Sequence, residues 1–244
     1  MIVIESGSIR NIRDFGDTLT KDGRKIRRNK LIRSASLYKA KEEDVSYLKN
    51  EHDLDTVIDL RSFREIKEAP DLSYDLTYRH MPIIAAFKDG ITHENRHLYK
   101  MPDLSITYKE MVTDPEYKEN IRKILTYIME RNSDEGAVLW HCSEGKDRCG
   151  LISALIMKAL DVDEETIFED YLETNKSSKI RAQGVYEEVL SLSDEEYASA
   201  AYKAYIADER YLRSAFDEMG DNFLTDELKI DPLLIQSFKD KVLE

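Results

Sequence analysis

Apolar positions along this chain change their spacing, and the change divides it into two regimes. In the first third they come in short runs bounded by turn residues. Asp55 to Leu60 places Val57, Ile58 and Leu60 together, which predicts a buried strand. Leu76 to Ile83 predicts another, with Tyr78, His80 and Pro82 alternating with more apolar neighbours. Thr18-Leu19-Thr20 and Lys25-Ile26 flank Asp22-Gly23, a dipeptide suited to a tight hairpin turn. Helical spacing appears over Ala40 to Asn50, where Val45 and Leu48 share a face. Beyond it, Asp114 and Pro115 open a helix carrying Ile121, Ile124, Leu125 and Ile128.

The last third is predicted to be mostly helical. Glu164 to Asn175 carries Ile167, Phe168, Tyr171 and Leu172 on one face. Ser193-Asp194-Glu195-Glu196 has capping-box spacing and opens a Tyr- and Ala-rich helix to about Ala207. Further helices are predicted over Glu209 to Met219 and from Asp231-Pro232 onward. Between the regimes, Ala85 to Asp114 loses periodicity at Gly90 and Pro102, while Leu104, Ile106, Tyr108 and Met111 suggest short helices. This stretch is read as a helical cover or as peripheral packing. Strands interleaved with helices favour an α/β domain whose loops at the strand ends form sites. No linker or internal repeat divides the chain, so residues 1–244 are expected to form one domain, with 161–244 as a helical extension.

One junction carries candidate chemistry. Ala137-Val138-Leu139-Trp140 reads as a buried strand and Leu151 to Leu160 as a buried helix. Between them runs His141-Cys142-Ser143-Glu144-Gly145-Lys146-Asp147-Arg148-Cys149-Gly150. A tight loop at a helix start can wrap a sulfur in backbone N–H donors, and those donors, the helix terminus and Arg148 all favour the thiolate. The same donors fit phosphoryl oxygens. Arg148 can bind two of them with its planar fork. Gly145 relieves the dihedral demands of the turn. Asp147 is the preferred general acid because it lies in the loop. Asp59, at the carboxyl end of a predicted strand, is the alternative acid or a support for the loop or Arg61. Lys146 adds positive charge for a second acidic group on a substrate, or simply points to solvent.

Composition narrows the classes. The chain has 244 residues, a net charge of −13, 41% hydrophobic residues and 35% charged ones, which fits a globular protein and argues against a general nucleic-acid binder. Lys21 to Arg33 runs against the trend with seven basic residues and one acid; it reads as a solvated hairpin or as a patch for an anionic substrate or membrane surface. No run is long enough to span a bilayer and no secretory signal is visible, so the expected location is cytoplasmic, with export left open. Cys142 and Cys149 are the only cysteines, which excludes a disulfide scaffold, and with His141 they do not make a zinc ligand set.

The run from His141 to Gly150 resembles the signature loop of cysteine-dependent protein tyrosine phosphatases, His-Cys-x-x-Gly-x-x-Arg-Ser/Thr-Gly. Gly145-Lys146-Asp147-Arg148 is similar to the bacterial atypical branch, described as tyrosine/serine, dual- or triple-specificity enzymes, some of which accept phosphoinositides. Asn11 to Phe15, Arg33 to Leu37, Val57 to Ser62, and Asp170 to Leu172 with Asn175 recur in the family's order. The resemblance implies a cysteine-phosphatase fold with a central, mostly parallel sheet flanked by helices. It also implies Cys142 as nucleophile, Ser143 to Arg148 as the phosphate-binding loop, Asp147 as the loop acid, and no metal or cofactor. Cys149 departs from the family's Ser or Thr. A thiol is a weaker donor to the nucleophilic sulfur, so slower breakdown of a phosphocysteine is expected. A further expectation is that Cys142 and Cys149 lie close enough for reversible oxidation, within strict disulfide geometry. The expected partner is a phosphorylated protein; a phosphoinositide phosphatase, a sulfur-transfer enzyme and a weakly catalytic phosphate-binding module are the alternatives.

Overall fold

The computed structural model describes residues 1–72, 74–84, 103–132 and 134–244. Its sheet is built from β1 (Ile2–Val3), β2 (Arg13–Asp14), β3 (Leu31–Ser34), β4 (Leu54–Asp59), β5 (Thr77–His80) and β6 (Ala137–His141), in the order β1-β2-β3-β6-β4-β5. The β1–β2 and β2–β3 pairs are antiparallel, whereas β3, β6, β4 and β5 run parallel. The predicted, mostly parallel sheet is therefore present, with an antiparallel edge.

Strand β6 is buried at all five positions, as expected of a central parallel strand covered on both faces. Alternation divides the neighbouring side chains between two cores. Val57 and Leu139 join Ile32, Val45 and Leu48 on the side of helix α1 (Glu42–Glu51). Ile58, Val138 and Trp140 face the larger core. There they meet α4 (Pro115–Glu130), α5 (Asp147–Ala159), α6 (Glu164–Glu173), α9 (Glu209–Phe216) and α10 (Pro232–Val242). Phe15 stacks on Trp140 at 5.5 Å between ring centroids.

Several elements differ instructively from the sequence pattern. The predicted hairpin keeps its turn, with Gly23 at φ 87°, but its strands shrink to a single bridge between Leu19 and Lys25. The helix expected over 164–175 stops at Glu173, and a longer one, α7 (Asn175–Leu192), restarts after Thr174. Helix α8 (Glu195–Tyr205) is capped by Asp194 rather than Ser193, because the Asp194 carboxylate accepts from the Tyr197 amide at 2.9 Å. Helices α7 and α8 share a small apolar core of their own around Ala182, Val185, Ala198 and Tyr205. Of the stretch 85–114 read as a cover, residues 85–102 lie outside the described residues. The remainder forms α3 (Leu104–Thr113), with Leu104, Tyr108, Met111 and Val112 buried in the larger core.

The basic run is largely balanced locally. Arg24 pairs with Asp22, Arg28 with Asp17, and Lys30 donates to the Glu135 carbonyl. Arg33 is fully buried.

Arg33 belongs to an ion cluster that ties the antiparallel edge to α6. Arg13 Nε donates to Asp170 Oδ1 at 2.6 Å and Arg33 Nη1 to Oδ2 at 2.5 Å, with all three side chains at most 2% exposed. Burial pushes the Asp170 carboxyl up, but the two guanidiniums outweigh it and hold the group below its ordinary value. Replacing Asp170 with Asn would leave two buried cations sharing no carboxylate. We expect Asp170→Asn to lose about 3–5 kcal/mol, read as a lower urea midpoint with the slope unchanged.

Candidate active site

The carboxyl ends of β3, β6 and β4 lie side by side, pairing Ser34 with His141 and His141 with Asp59. Cys142 leaves β6 at this edge, and α5 begins five residues later at Asp147. Sites in open α/β sheets form at such an edge.

The surroundings fix the loop's carbonyls. The Cys142 carbonyl lies 3.3 Å from His141 Nδ1, and the Ser143 carbonyl accepts from the Ser36 amide at 3.2 Å. Asn11 Nδ2 donates to the carbonyls of Glu144 at 3.3 Å and Gly145 at 2.9 Å. Arg33 Nη2 also donates to Gly145, at 2.7 Å. In a trans peptide, C=O and the following N–H point in opposite directions. Pinning these four carbonyls outward therefore turns the amides of residues 143–146 the other way, into a nest for an anion. Gly145 has φ 67°, and a Cβ there would meet the Ser34 carbonyl oxygen at 2.5 Å. Both facts require glycine.

Arg148, on the first turn of α5, is 8% exposed. Its Nη1 and Nη2 donate to Glu65 Oε2 and Oε1 at 2.7 and 2.8 Å. Glu65 lies on α2 (Phe63–Glu68) and also completes that helix's capping box with Ser62. Ser143 Oγ donates to the same carboxylate. Burial would raise the Glu65 pKa, yet Arg148 outweighs it and holds the group at about 2.

Asp147, the preferred acid, is about one-third exposed, and its Oδ1 accepts from Lys146 Nζ at 2.7 Å and from Tyr108 Oη at 3.0 Å. Lys146 does not point to solvent: it is 1% exposed, and its ammonium lies 5.6 Å from the centroid of the Tyr211 ring. Glu144 sits between Arg10 and Arg181, at 3.0 and 3.1 Å.

Asp59 is fully buried and receives the Arg61 amide, Arg61 Nε and Nη2, and Tyr78 Oη. Burial acts to raise its pKa, but His141 and Arg61 overcome that and leave it at about 2. A carboxylate so saturated with donors is suited to bracing the strand end. Asp71 lies 3.0 Å from both Arg61 Nη2 and His141 Nε2. Asp59, Asp71 and His141 each offer one atom within 4.8 Å of the others. Arg61 already sits on both carboxylates, so a metal ion there would face an existing cation.

Cys142 is 2% exposed, and both cysteines are free thiols. Cys149 is fully buried, and its Sγ lies 3.5 Å from the Trp140 carbonyl and 3.8 Å from that of Ser34. Burial raises its pKa to about 11.

Sequence reasoning found the loop but missed Glu65 and Tyr108 as its partners. The spacing Ser62 to Glu65 signals a helix start, but nothing local connects Glu65 with an arginine 83 positions away.

A cysteine-bearing loop at the centre of a mostly parallel sheet, with an arginine on the following helix, marks the cysteine-phosphatase fold. The chain belongs to the tyrosine phosphatase family, whose model matches residues 4–244. It is 28% identical over 204 residues to the triple specificity protein phosphatase PtpB of Mycobacterium tuberculosis, covering 72% of this chain and 71% of that protein. It is also 28% identical over 120 residues to a tyrosine-protein phosphatase of Nostoc commune, covering 47% of this chain and 38% of that one. Among solved structures it aligns with P. aeruginosa TpbA at 17% identity and a TM-score of 0.34, over 76% of this chain and 86% of that chain.

The Glu65 clamp has a pH signature. Its folded pKa lies below its ordinary value, so the stability it contributes is present above that value and is lost as pH falls. The window runs from 4.5 down to about 2. Glu65→Gln should lower stability at neutral pH on the order of 3 kcal/mol. Urea titrations across that window should show the gap between variant and wild type closing on acidification; a constant gap would refute the assignment.

Proposed function

We propose that the protein is a cysteine-dependent phosphomonoester hydrolase acting on phosphotyrosine, and also on phosphoserine and phosphothreonine. The observation that carries this reading is the outward pinning of four consecutive loop carbonyls between Cys142 and Arg148. It directs N–H donors to the place where a phosphoryl group would meet the sulfur.

In the first step Cys142 Sγ attacks phosphorus as the bond to the leaving oxygen breaks, and Asp147 gives that oxygen a proton. Arg148 and the loop amides carry the charge on the equatorial oxygens. In the second step water attacks the phosphocysteine, its proton passes to Asp147, and the thiolate leaves with inorganic phosphate as the other product. Asp59 acts as a support, holding Arg61 and the end of β4.

A phosphoinositide substrate would require Lys146 to release Asp147 and turn outward, so phosphoproteins are the preferred class. PtpB, by its name, has triple specificity, which is in keeping with the broader phosphoprotein reading.

Phosphotyrosine, phosphoserine and phosphothreonine peptides, tested beside phosphoinositide vesicles, should release phosphate in that order of preference with wild type. Cys142→Ser should release none. Binding of phosphopeptides by wild type without hydrolysis would establish a binding module instead, and hydrolysis by Cys142→Ser would sink the mechanism.

Cys149 is proposed as the redox partner of Cys142. Peroxide would convert the Cys142 thiolate to a sulfenic acid, and attack by the Cys149 sulfur would form the disulfide and release water. Supporting this, both thiols are free and buried at one loop–helix junction, Cys142 where β6 ends and Cys149 on the first turn of α5. With the Cys149 pKa at about 11, capture should be slow at neutral pH and faster in alkali. Mild peroxide should yield an intrachain bond by mass, with activity restored by reductant in wild type and not in Cys149→Ser. Irreversible loss in wild type, with no such bond, would remove the role.

A further inference from the structure

Helix α3 contributes a side chain to the loop that the reaction scheme does not yet use. The Tyr108 ring is fully buried, and its hydroxyl donates to Asp147 Oδ1 at 3.0 Å. The same hydroxyl shares a 2.9 Å hydrogen bond with Tyr171 Oη on α6. Tyr108 has one hydroxyl proton. If it is donated to Asp147, Tyr171 must supply the other bond, so the chain of donors runs from Tyr171 through Tyr108 to Asp147. Burial pushes both phenols well above their ordinary pKa, which keeps each a neutral donor throughout the working pH range.

The rings are locked by packing. Tyr108 meets Tyr171 edge-on at 6.0 Å between centroids and Tyr211 at 6.2 Å, so three helices hold one hydroxyl in place. Lys146 Nζ reaches Asp147 Oδ1 from its own side at 2.7 Å. Both donors address Oδ1, on a carboxyl that remains about one-third exposed. Oδ2 is then the oxygen available to carry a proton toward the substrate.

We propose that Tyr108, backed by Tyr171, is a positioning residue that pins Asp147 through Oδ1 and presents Oδ2 to the leaving oxygen. This rests on Asp147 being the general acid. As the phosphorus–oxygen bond breaks, the Oδ2 proton moves to the departing alcohol or phenol. The resulting carboxylate keeps both hydrogen bonds on Oδ1. Orientation of a catalytic group to this degree affects the steps in which it transfers a proton, and first-turnover release isolates the one in which Asp147 gives it.

The test compares first-turnover release from an alkyl phosphate, whose leaving oxygen needs the proton, with release from nitrophenyl phosphate, whose leaving oxygen does not. Asp147→Asn should lower the alkyl-to-aryl rate ratio about a hundredfold, within the range for general acid catalysis. Tyr108→Phe, which preserves the ring, should lower the ratio about tenfold, and the double variant should match Asp147→Asn alone. Tyr171→Phe provides a second variant, with a smaller loss of the same ratio. If Asp147→Asn leaves the ratio unchanged, the acid assignment itself fails. If Asp147→Asn lowers the ratio while Tyr108→Phe and Tyr171→Phe leave it unchanged, or slow both substrates equally, the positioning role is overturned.

Discussion

The site depends on the direction of a few peptide groups, and that direction is imposed from outside the loop. Asn11 and Arg33 hold the carbonyl of Gly145, Asn11 also holds that of Glu144, and the Ser36 amide holds that of Ser143. Each contact costs the protein an ordered polar group, and Arg33 is fully buried to make its own. A buried guanidinium needs a counter-charge. Asp170 supplies it and holds Arg13 at the same time. The ion cluster behind the loop is thus part of the apparatus that aims its amides. Gly145 completes the constraint, because the loop passes too close to the Ser34 carbonyl for any side chain.

Charge is arranged by pairs rather than by excess. Lys146 faces Asp147, Arg148 faces Glu65, and Glu144 lies between Arg10 and Arg181. A chain with a net charge of −13 cannot draw a phosphate dianion by its overall field. Under the proposed function, attraction comes from oriented donors within a few ångströms: the loop amides, the start of α5 and the Arg148 fork. Glu65 holds that fork through both terminal nitrogens. It fixes the plane of the guanidinium, and Nη2 also reaches Ser143 Oγ at 3.4 Å, so the fork is tied to the loop as well as to α2. The same carboxylate starts α2 through its capping box, so the position of the arginine is tied to a helix end.

What could be read from the chain follows the range of the interactions. The strand over 54–59, the helix opened by Asp114 and Pro115, and the loop from Cys142 to Arg148 are encoded within about ten residues each. Their spacing and turn chemistry were sufficient to find them. The Ser193 cap failed by one position because Asp194 offers a competing acceptor, a choice that spacing does not resolve. The break at Thr174 also escaped, since α6 and α7 are both helical on either side of it. Glu65 and Tyr108 were illegible for a different reason. They reach the loop from 83 and 39 positions away, and no local pattern distinguishes a glutamate that orients an arginine from one that only caps a helix.

Two cysteines seven positions apart show how little residue type decides by itself. Cys149 lies at the base of α5 against the carbonyl oxygens of Trp140 and Ser34. Burial disfavours its thiolate and outweighs the pull of Arg33, raising the pKa to about 11. A buried cysteine behaves as a small hydrophobe with a weak donor, so it tolerates this position without the firm hydrogen bond that a hydroxyl would demand. Cys142 opens the loop whose carbonyls are held outward and whose amides face in. The contrast lies in the peptide groups beside each residue: carbonyl oxygens of Trp140 and Ser34 face Cys149, whereas Asn11, Arg33 and Ser36 hold the carbonyls of the loop that follows Cys142.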